Sequence, residues 1–129
     1  TDDGLIVPVI FDADQKGLRE ISRESRELAA KARERKLTPE QYTGSTFSVS
    51  NLGMFGIRSF ASILNEPQGC ILSVGAGEKR PVVRGDQLAI GTVMTVTLTC
   101  DHRVVDGAVG ARWMQAFRTL IEDPITMIV

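Results

Sequence analysis

Between Thr92 and Thr99 the chain reads TVMTVTLT, with β-branched side chains at alternating positions. Such side chains crowd an α-helix and fit a pleated, half-buried strand. The chain therefore has to build a sheet around this segment. The strand runs into TCDHRVVDGAV, Thr99 to Val109, which holds the single histidine of 129 residues. His102 follows Asp101 directly, and Asp106 and Gly107 come four and five residues later. A helix is expected from about Gly107 to Glu122, with Ala108, Ala111, Met114, Ala116, Phe117 and Leu120 as apolar contacts and Asp106 as its cap.

The remaining elements interleave strands and helices, an α/β or two-layer α+β pattern. LIVPVI, Leu5 to Ile10, reads as a buried strand, with Pro8 marking an edge or bulge. A long helix is expected from about Gly17 to Lys36. Leu18, Ile21, Leu28 and Ala32 lie near one face, and a charged, solvated face makes up the rest. Thr38, Pro39 and Gln41 carry the spacing of a capping box. TFSVSN alternates Phe47, Val49 and Asn51 on one side with Thr46, Ser48 and Ser50 on the other, a strand leading into the loop NLGMFGIRSF. GCILSV, Gly69 to Val74, is another strand, GAGEKRP a turn-rich connection, and PVVRGDQLAI a hairpin turning at Gly85-Asp86. The apolar tail DPITMIV is expected to pack onto something.

Composition narrows the function. A net charge of −1 gives no broad basic field for nucleic acid. No apolar run approaches the length of a membrane span, and the N-terminus lacks the basic and apolar regions of a signal peptide. Cys70 and Cys100 lie in strand-like contexts, which favours buried reduced thiols and an intracellular setting. Two cysteines and one histidine do not supply a structural zinc site, so no metal is expected. GAGEKR lacks the third glycine of a dinucleotide fingerprint. The chain opens on Thr1, and an apolar strand follows after four residues; it reads as a fragment of a longer polypeptide.

The chemistry centres on His102. Histidine is the commonest general base, and this one sits at a strand end beside a turn, where scaffolds present working groups. Asp101 and Asp106 either bias the imidazole toward its protonated form, fix its tautomer, or hold the loop; Asp106 also reads as a helix cap and Arg103 as an ion-pair partner. Ser50, Ser59, Ser62 and Ser73 are hydroxyls without a G-x-S-x-G elbow, and Ser50 by itself reads as a polar strand residue on the solvent side. Cys100 is a weak nucleophile candidate because burial is expected. A base that acts directly on a substrate thiol, with a hydroxyl elsewhere to stabilise an oxyanion, fits better.

TFSVSNLGMFG (Thr46 to Gly56), NEPQGCILSVGAGEKRPVV (Asn65 to Val83) and TCDHRVVDGA (Thr99 to Ala108) resemble the catalytic domain of the dihydrolipoamide acyltransferases, the core components of 2-oxo acid dehydrogenase complexes. GLIVPVIFDADQKGLREI, Gly4 to Ile21, extends the resemblance over essentially the whole chain. SNLGMFG and GAGEKRP look most like the acetyl-transferring, pyruvate-complex branch. That domain is nearly twice this length, so residues 1–129 correspond to its C-terminal part. The resemblance implies a mixed sheet flanked by helices, as in chloramphenicol acetyltransferase, assembled as trimers with active sites in channels between subunits. It implies that His102 is the general base and that Ser50, from the neighbouring subunit, stabilises the oxyanion. Asp106 takes the position that orients the base, where some members carry asparagine. Asp101, Arg103 and Gly107 belong to the motif in structural roles, and Asn51, Gly53 and Phe55 lie near the channel. Coenzyme A and a lipoyl group on a separate domain are the implied substrates. The implied partners are further copies of the chain and the pyruvate decarboxylase and dihydrolipoamide dehydrogenase components, in the bacterial cytoplasm or mitochondrial matrix. The alternatives are a non-catalytic scaffold module of such a complex, a succinyl or branched-chain specificity, and O-acetyl transfer of the chloramphenicol type.

Overall fold

The computed structural model describes residues 4–127, so Ile128 and Val129 of the apolar tail lie outside the described residues. The chain divides into two compact units, Thr1–Ser45 and Thr46–Val129.

In the first unit, helix α1 spans Leu18–Arg33. Its apolar stripe buries Leu28 and half-buries Ile21 and Ala32, while Leu18 stays exposed. The helix stops short of Lys36 because Arg35 turns left-handed (φ 59°) and the Lys36 N–H donates back to the Lys31 carbonyl at 2.8 Å, a Schellman-type ending. Pro39–Gln41 form only a short 3-10 turn, in which Gln41 Oε1 accepts from the Thr38 N–H as the capping box requires. The strand expected at Leu5–Ile10 is not formed. The backbone runs without a ladder, tied by the Val9 N–H to the Gln41 carbonyl at 2.8 Å. Pro8 supplies no N–H, and no strand pairs with this segment among the described residues. Val9 is buried nonetheless, whereas Leu5 and Val7 are exposed, so the expected burial holds at one position of the segment only.

The second unit is a mixed three-stranded sheet with a helix. Strands β1 (Phe47–Asn51), β2 (Cys70–Arg84) and β3 (Gln87–Cys100) lie in the order β1-β2-β3, and α2 spans Gly107–Glu122. β1 runs parallel to β2, and β2 is antiparallel to β3. GAGEKRP is not a connection: it lies inside β2, which continues through a bulge between Val74 and Gly77 to Arg84. The long partner strand β3 overrides the turn propensity of its glycines and proline. Pro81 fits because it faces Ile90 three pairs back from the tight turn. By the alternation of an antiparallel ladder, that pair needs no N–H from residue 81. The turn is Gly85-Asp86, as expected, with Gly85 at φ 61° in the first central position.

The two faces of the sheet are covered differently. Cys100 and Leu98 lie against Gly110 of α2, and Phe47 meets Trp113 with ring centroids 5.5 Å apart. On the opposite face, segment 52–69 folds back over Ile71 and Ser73. Ser62 and Ser73 share a hydroxyl hydrogen bond of 2.7 Å, and the Ala76 N–H donates to the Ile57 carbonyl at 2.8 Å. Gly75 is required there, because a Cβ would stand 2.1 Å from the Arg58 carbonyl oxygen. This corrects the expected orientation of β1. Ser48 and Ser50 are half-buried, whereas Phe47 and Val49 on the other face are exposed. The covering segment satisfies the polar side, with the Ser48 hydroxyl donating to Gln68 Oε1.

Candidate active site

The loop carrying His102 is built largely by Asp101. β3 ends at Cys100, and the Asp101 N–H donates to the Gly69 carbonyl at 2.8 Å, tying the loop root to the start of β2. The Asp101 carbonyl accepts from the N–H groups of Val104 and Val105, both at 2.9 Å. Its carboxylate accepts the Arg103 backbone N–H at 2.9 Å and the Arg103 guanidinium at 2.6 Å. One residue thus closes the turn through both backbone and side chain, the local bonding that aspartate favours over regular structure. The Arg103 hydrogen bonds hold the Asp101 carboxyl at about 2, well below the usual carboxylate range. Arg103 is further within 3.8 Å of Glu66.

His102 stands on this turn and is exposed. It lines a hollow of about 320 Å³ with Leu98, Cys100, Val105, Asp106 and Met114. Asp106 caps α2: its side chain accepts from the Val109 N–H at 2.8 Å. Its structural role is to fix where the loop meets the helix. Gly107 opens α2 with open space where a Cβ would stand, so no packing in this unit explains a glycine there. Among the described residues no group of three or more histidine, cysteine or acidic side chains could hold a metal ion.

Ser50 is elsewhere. It pairs with Ser73 of β2, which in turn pairs with Thr97 of β3. The loop root pairs at the level of Phe47, Cys70 and Cys100. Three residues along the strand and two strand spacings across separate these levels, on the order of 10 Å in each direction. His102 lies beyond the far end, so a single chain does not bring Ser50 to His102. The Asn51 side chain accepts from the Gly53 N–H at 2.9 Å and shapes the loop after β1. A Cβ on Gly53 would stand 2.9 Å from the Gly75 carbonyl, so this loop rests on the β2 bulge. Phe55 is 72% exposed at the loop tip. Nothing in the sequence marks Leu98, Val105 and Met114 as walls of the hollow. They carry no chemical signal, and only the packing of α2 on β3 places them there.

Residues 1–129 match the family described as 2-oxoacid dehydrogenases acyltransferase (catalytic domain). The chain belongs to this family. A dihydrolipoyllysine-residue acetyltransferase component of the pyruvate dehydrogenase complex from Rickettsia felis is 52% identical over 99% of this chain. The mitochondrial component 3 from Arabidopsis thaliana is 55% identical over all of it. A structure of the Azotobacter vinelandii dihydrolipoamide acetyltransferase aligns over 98% of the chain, with a TM-score of 0.92 and 38% identity. It concerns the role of a serine, a histidine and an asparagine in that enzyme's catalytic mechanism. The cubic core of the pyruvate dehydrogenase multienzyme complex aligns equally well, with a TM-score of 0.92 and 37% identity. The chain spans 31% of the Rickettsia relative and 52% of each of these two solved chains. The mixed sheet with flanking helix is thus the fold of acyltransferase cores, as the resemblance implied.

Proposed function

We propose that this chain carries the base-bearing part of an acetyltransferase that exchanges acetyl groups between the thiols of dihydrolipoamide and coenzyme A. One observation carries the reading: the exposed imidazole of His102 is held on a turn closed by Asp101, at the mouth of an open hollow. The spacing of side chains supports it. The serine, histidine and asparagine of the Azotobacter enzyme are 52 and then 4 positions apart, the intervals that separate Ser50, His102 and Asp106.

The chemistry follows from these groups. His102 accepts the proton of the attacking thiol; a thiol as acidic as free cysteine, with a pKa of about 8.5, needs only modest help near neutral pH. The thiolate adds to the thioester carbonyl, and the Ser50 hydroxyl donates to the oxyanion that forms. Collapse expels the other thiolate, which takes its proton back from the imidazolium. No acyl-enzyme is needed, which suits a site without a nucleophile elbow. Asp106 acts through the helix cap that places the loop, a role asparagine also fills. Asn51 and Gly53 shape the loop after β1, and Phe55 is available at its tip to border the substrate channel. Because one chain separates Ser50 from His102, the site is completed between subunits of a trimer, and trimers build the larger core. Coenzyme A and the lipoyl group are substrates, the lipoyl group arriving on another domain. The complex supplies the pyruvate decarboxylase and dihydrolipoamide dehydrogenase components as partners. Bacterial and mitochondrial relatives fit the bacterial cytoplasm or the mitochondrial matrix. Acetyl specificity, over succinyl or branched-chain, rests on relatives of the pyruvate complex.

The test is acetyl transfer between acetyl-coenzyme A and dihydrolipoamide by the full-length chain. His102→Ala is expected to lower turnover by about 10²–10⁴. Near-normal turnover in that variant would leave the scaffold reading standing instead.

A further inference from the structure

Cys70 and Cys100 open β2 and close β3, and they face each other in register. The Asp101 N–H donates to the Gly69 carbonyl, one residue outside this pair on each strand. That bonding pattern makes Cys70 and Cys100 a non-hydrogen-bonded pair, the position where side chains across an antiparallel ladder come closest, with Cα atoms about 4.5 Å apart. Their sulfurs lie 3.6 Å apart, with the Cys70 thiol directed at Cys100, and both are free thiols. A disulfide needs Cα separations of about 4.4–6.8 Å, a range that includes the usual spacing of such a pair. Both cysteines are only partly buried, and Cys100 also lines the open hollow beside His102.

We propose that Cys70 and Cys100 form a reversible cross-strand disulfide by exchange with a small-molecule disulfide, making the root of the His102 loop a thiol-modification site. Neither cysteine takes part in the acetyl transfer described above, so this inference stands apart from that reading. The Cys100 thiolate, reached through the hollow, attacks one sulfur of the small disulfide. That S–S bond breaks, one small thiolate leaves, and a mixed disulfide forms on Cys100. Cys70 then gives up its proton and attacks the Cys100 sulfur, forming the Cys70–Cys100 bond and releasing the second small thiolate, which is protonated. Two protein thiols are oxidised and one small disulfide is reduced to two thiols. The order follows from access and from acidity. Burial, with Cys100 alongside, pushes the Cys70 thiol up to about 11, so it is a poor first nucleophile. As the resolving group it attacks a sulfur already beside it.

The experiment treats the full-length chain with oxidised glutathione, blocks remaining thiols with an alkylating agent, and maps the peptides by mass spectrometry. The expected result is one peptide pair joined through Cys70 and Cys100 within a single chain, released by a dithiol reductant. Cys70→Ser is expected to trap glutathione on Cys100, and Cys100→Ser to leave Cys70 at least tenfold slower to react than Cys100 in the first variant. Circular dichroism of each variant checks that it is folded, and mapping of the unsubstituted chain decides the matter if one is not. Both cysteines alkylated after treatment, separate glutathione adducts on each, or a link between two chains would each overturn the proposal.

Discussion

At the scale of single residues, the loop around His102 divides its labour. Asp101 builds the turn, Asp106 fixes the helix that follows, and His102 stands exposed on the turn as the proposed base. Replacing Asp106 by alanine removes a cap and is expected to destabilise the protein by about 1 kcal/mol, whereas asparagine caps equally well. Asp106→Asn should therefore keep both the melting temperature and most of the activity; a loss as large as that of His102→Ala would show that the carboxylate charge itself is used. Asp101 gives a pH prediction. Its folded pKa lies below its ordinary value of 3.8, at about 2, so its pairing with Arg103 stabilises the folded loop fully above pH 4. That contribution fades as pH falls through about 2. An NMR titration should place the Asp101 midpoint near 2, and a midpoint near 3.8 would mean that the Arg103 contacts do not hold in solution.

At the scale of elements, the sequence was legible where pattern and partner coincide. The alternation in TVMTVTLT, the Gly85-Asp86 turn and the Asp106 cap all appear as expected because each is decided locally or by one neighbour. The errors share a different cause. In GAGEKRP, turn-forming residues were drawn into β2 by the length of β3 opposite. In LIVPVI the apolar run finds no partner strand, and only Val9 of it is buried while Leu5 and Val7 stay exposed. In β1 the alternation puts the apolar residues on the expected inner face, yet segment 52–69 covers the serines. Ser50 became a site candidate only through the family resemblance, since a strand serine has no local signature. The bulge in β2 is where the loop after β1 and the segment near Arg58 both press on the sheet, so it also offers a test. Gly75→Ala would drive a methyl group into the Arg58 carbonyl and is expected to cost about 1–3 kcal/mol through forced backbone movement. Thermal unfolding unchanged by that substitution would show that segment 52–69 is not held against the bulge.

At the scale of the whole molecule, the second unit shows apolar side chains that a self-sufficient surface would cover. Val83, Leu88 and Ile90 near the hairpin turn, and Met54, Phe55 and Ile63 in segment 52–69, are each more than 70% exposed. Val83 and Leu88 face each other across the hairpin, and clustered apolar exposure marks interaction surfaces, in keeping with a family whose solved relatives include a cubic multienzyme core. Ser50 and His102 are also separated along the sheet within one chain, so the proposed acetyl-transfer site requires the two groups to come from two chains. Subunit complementation tests this most directly. Full-length Ser50→Ala and His102→Ala chains, each assembled alone, are expected to transfer acetyl groups poorly. Unfolded together and reassembled at equal amounts, they should regain about a quarter of the parent activity, because random mixing puts an intact serine opposite an intact histidine at that fraction of subunit interfaces. Activity no greater than the sum of the two separate variants would place both groups in one chain and contradict the account.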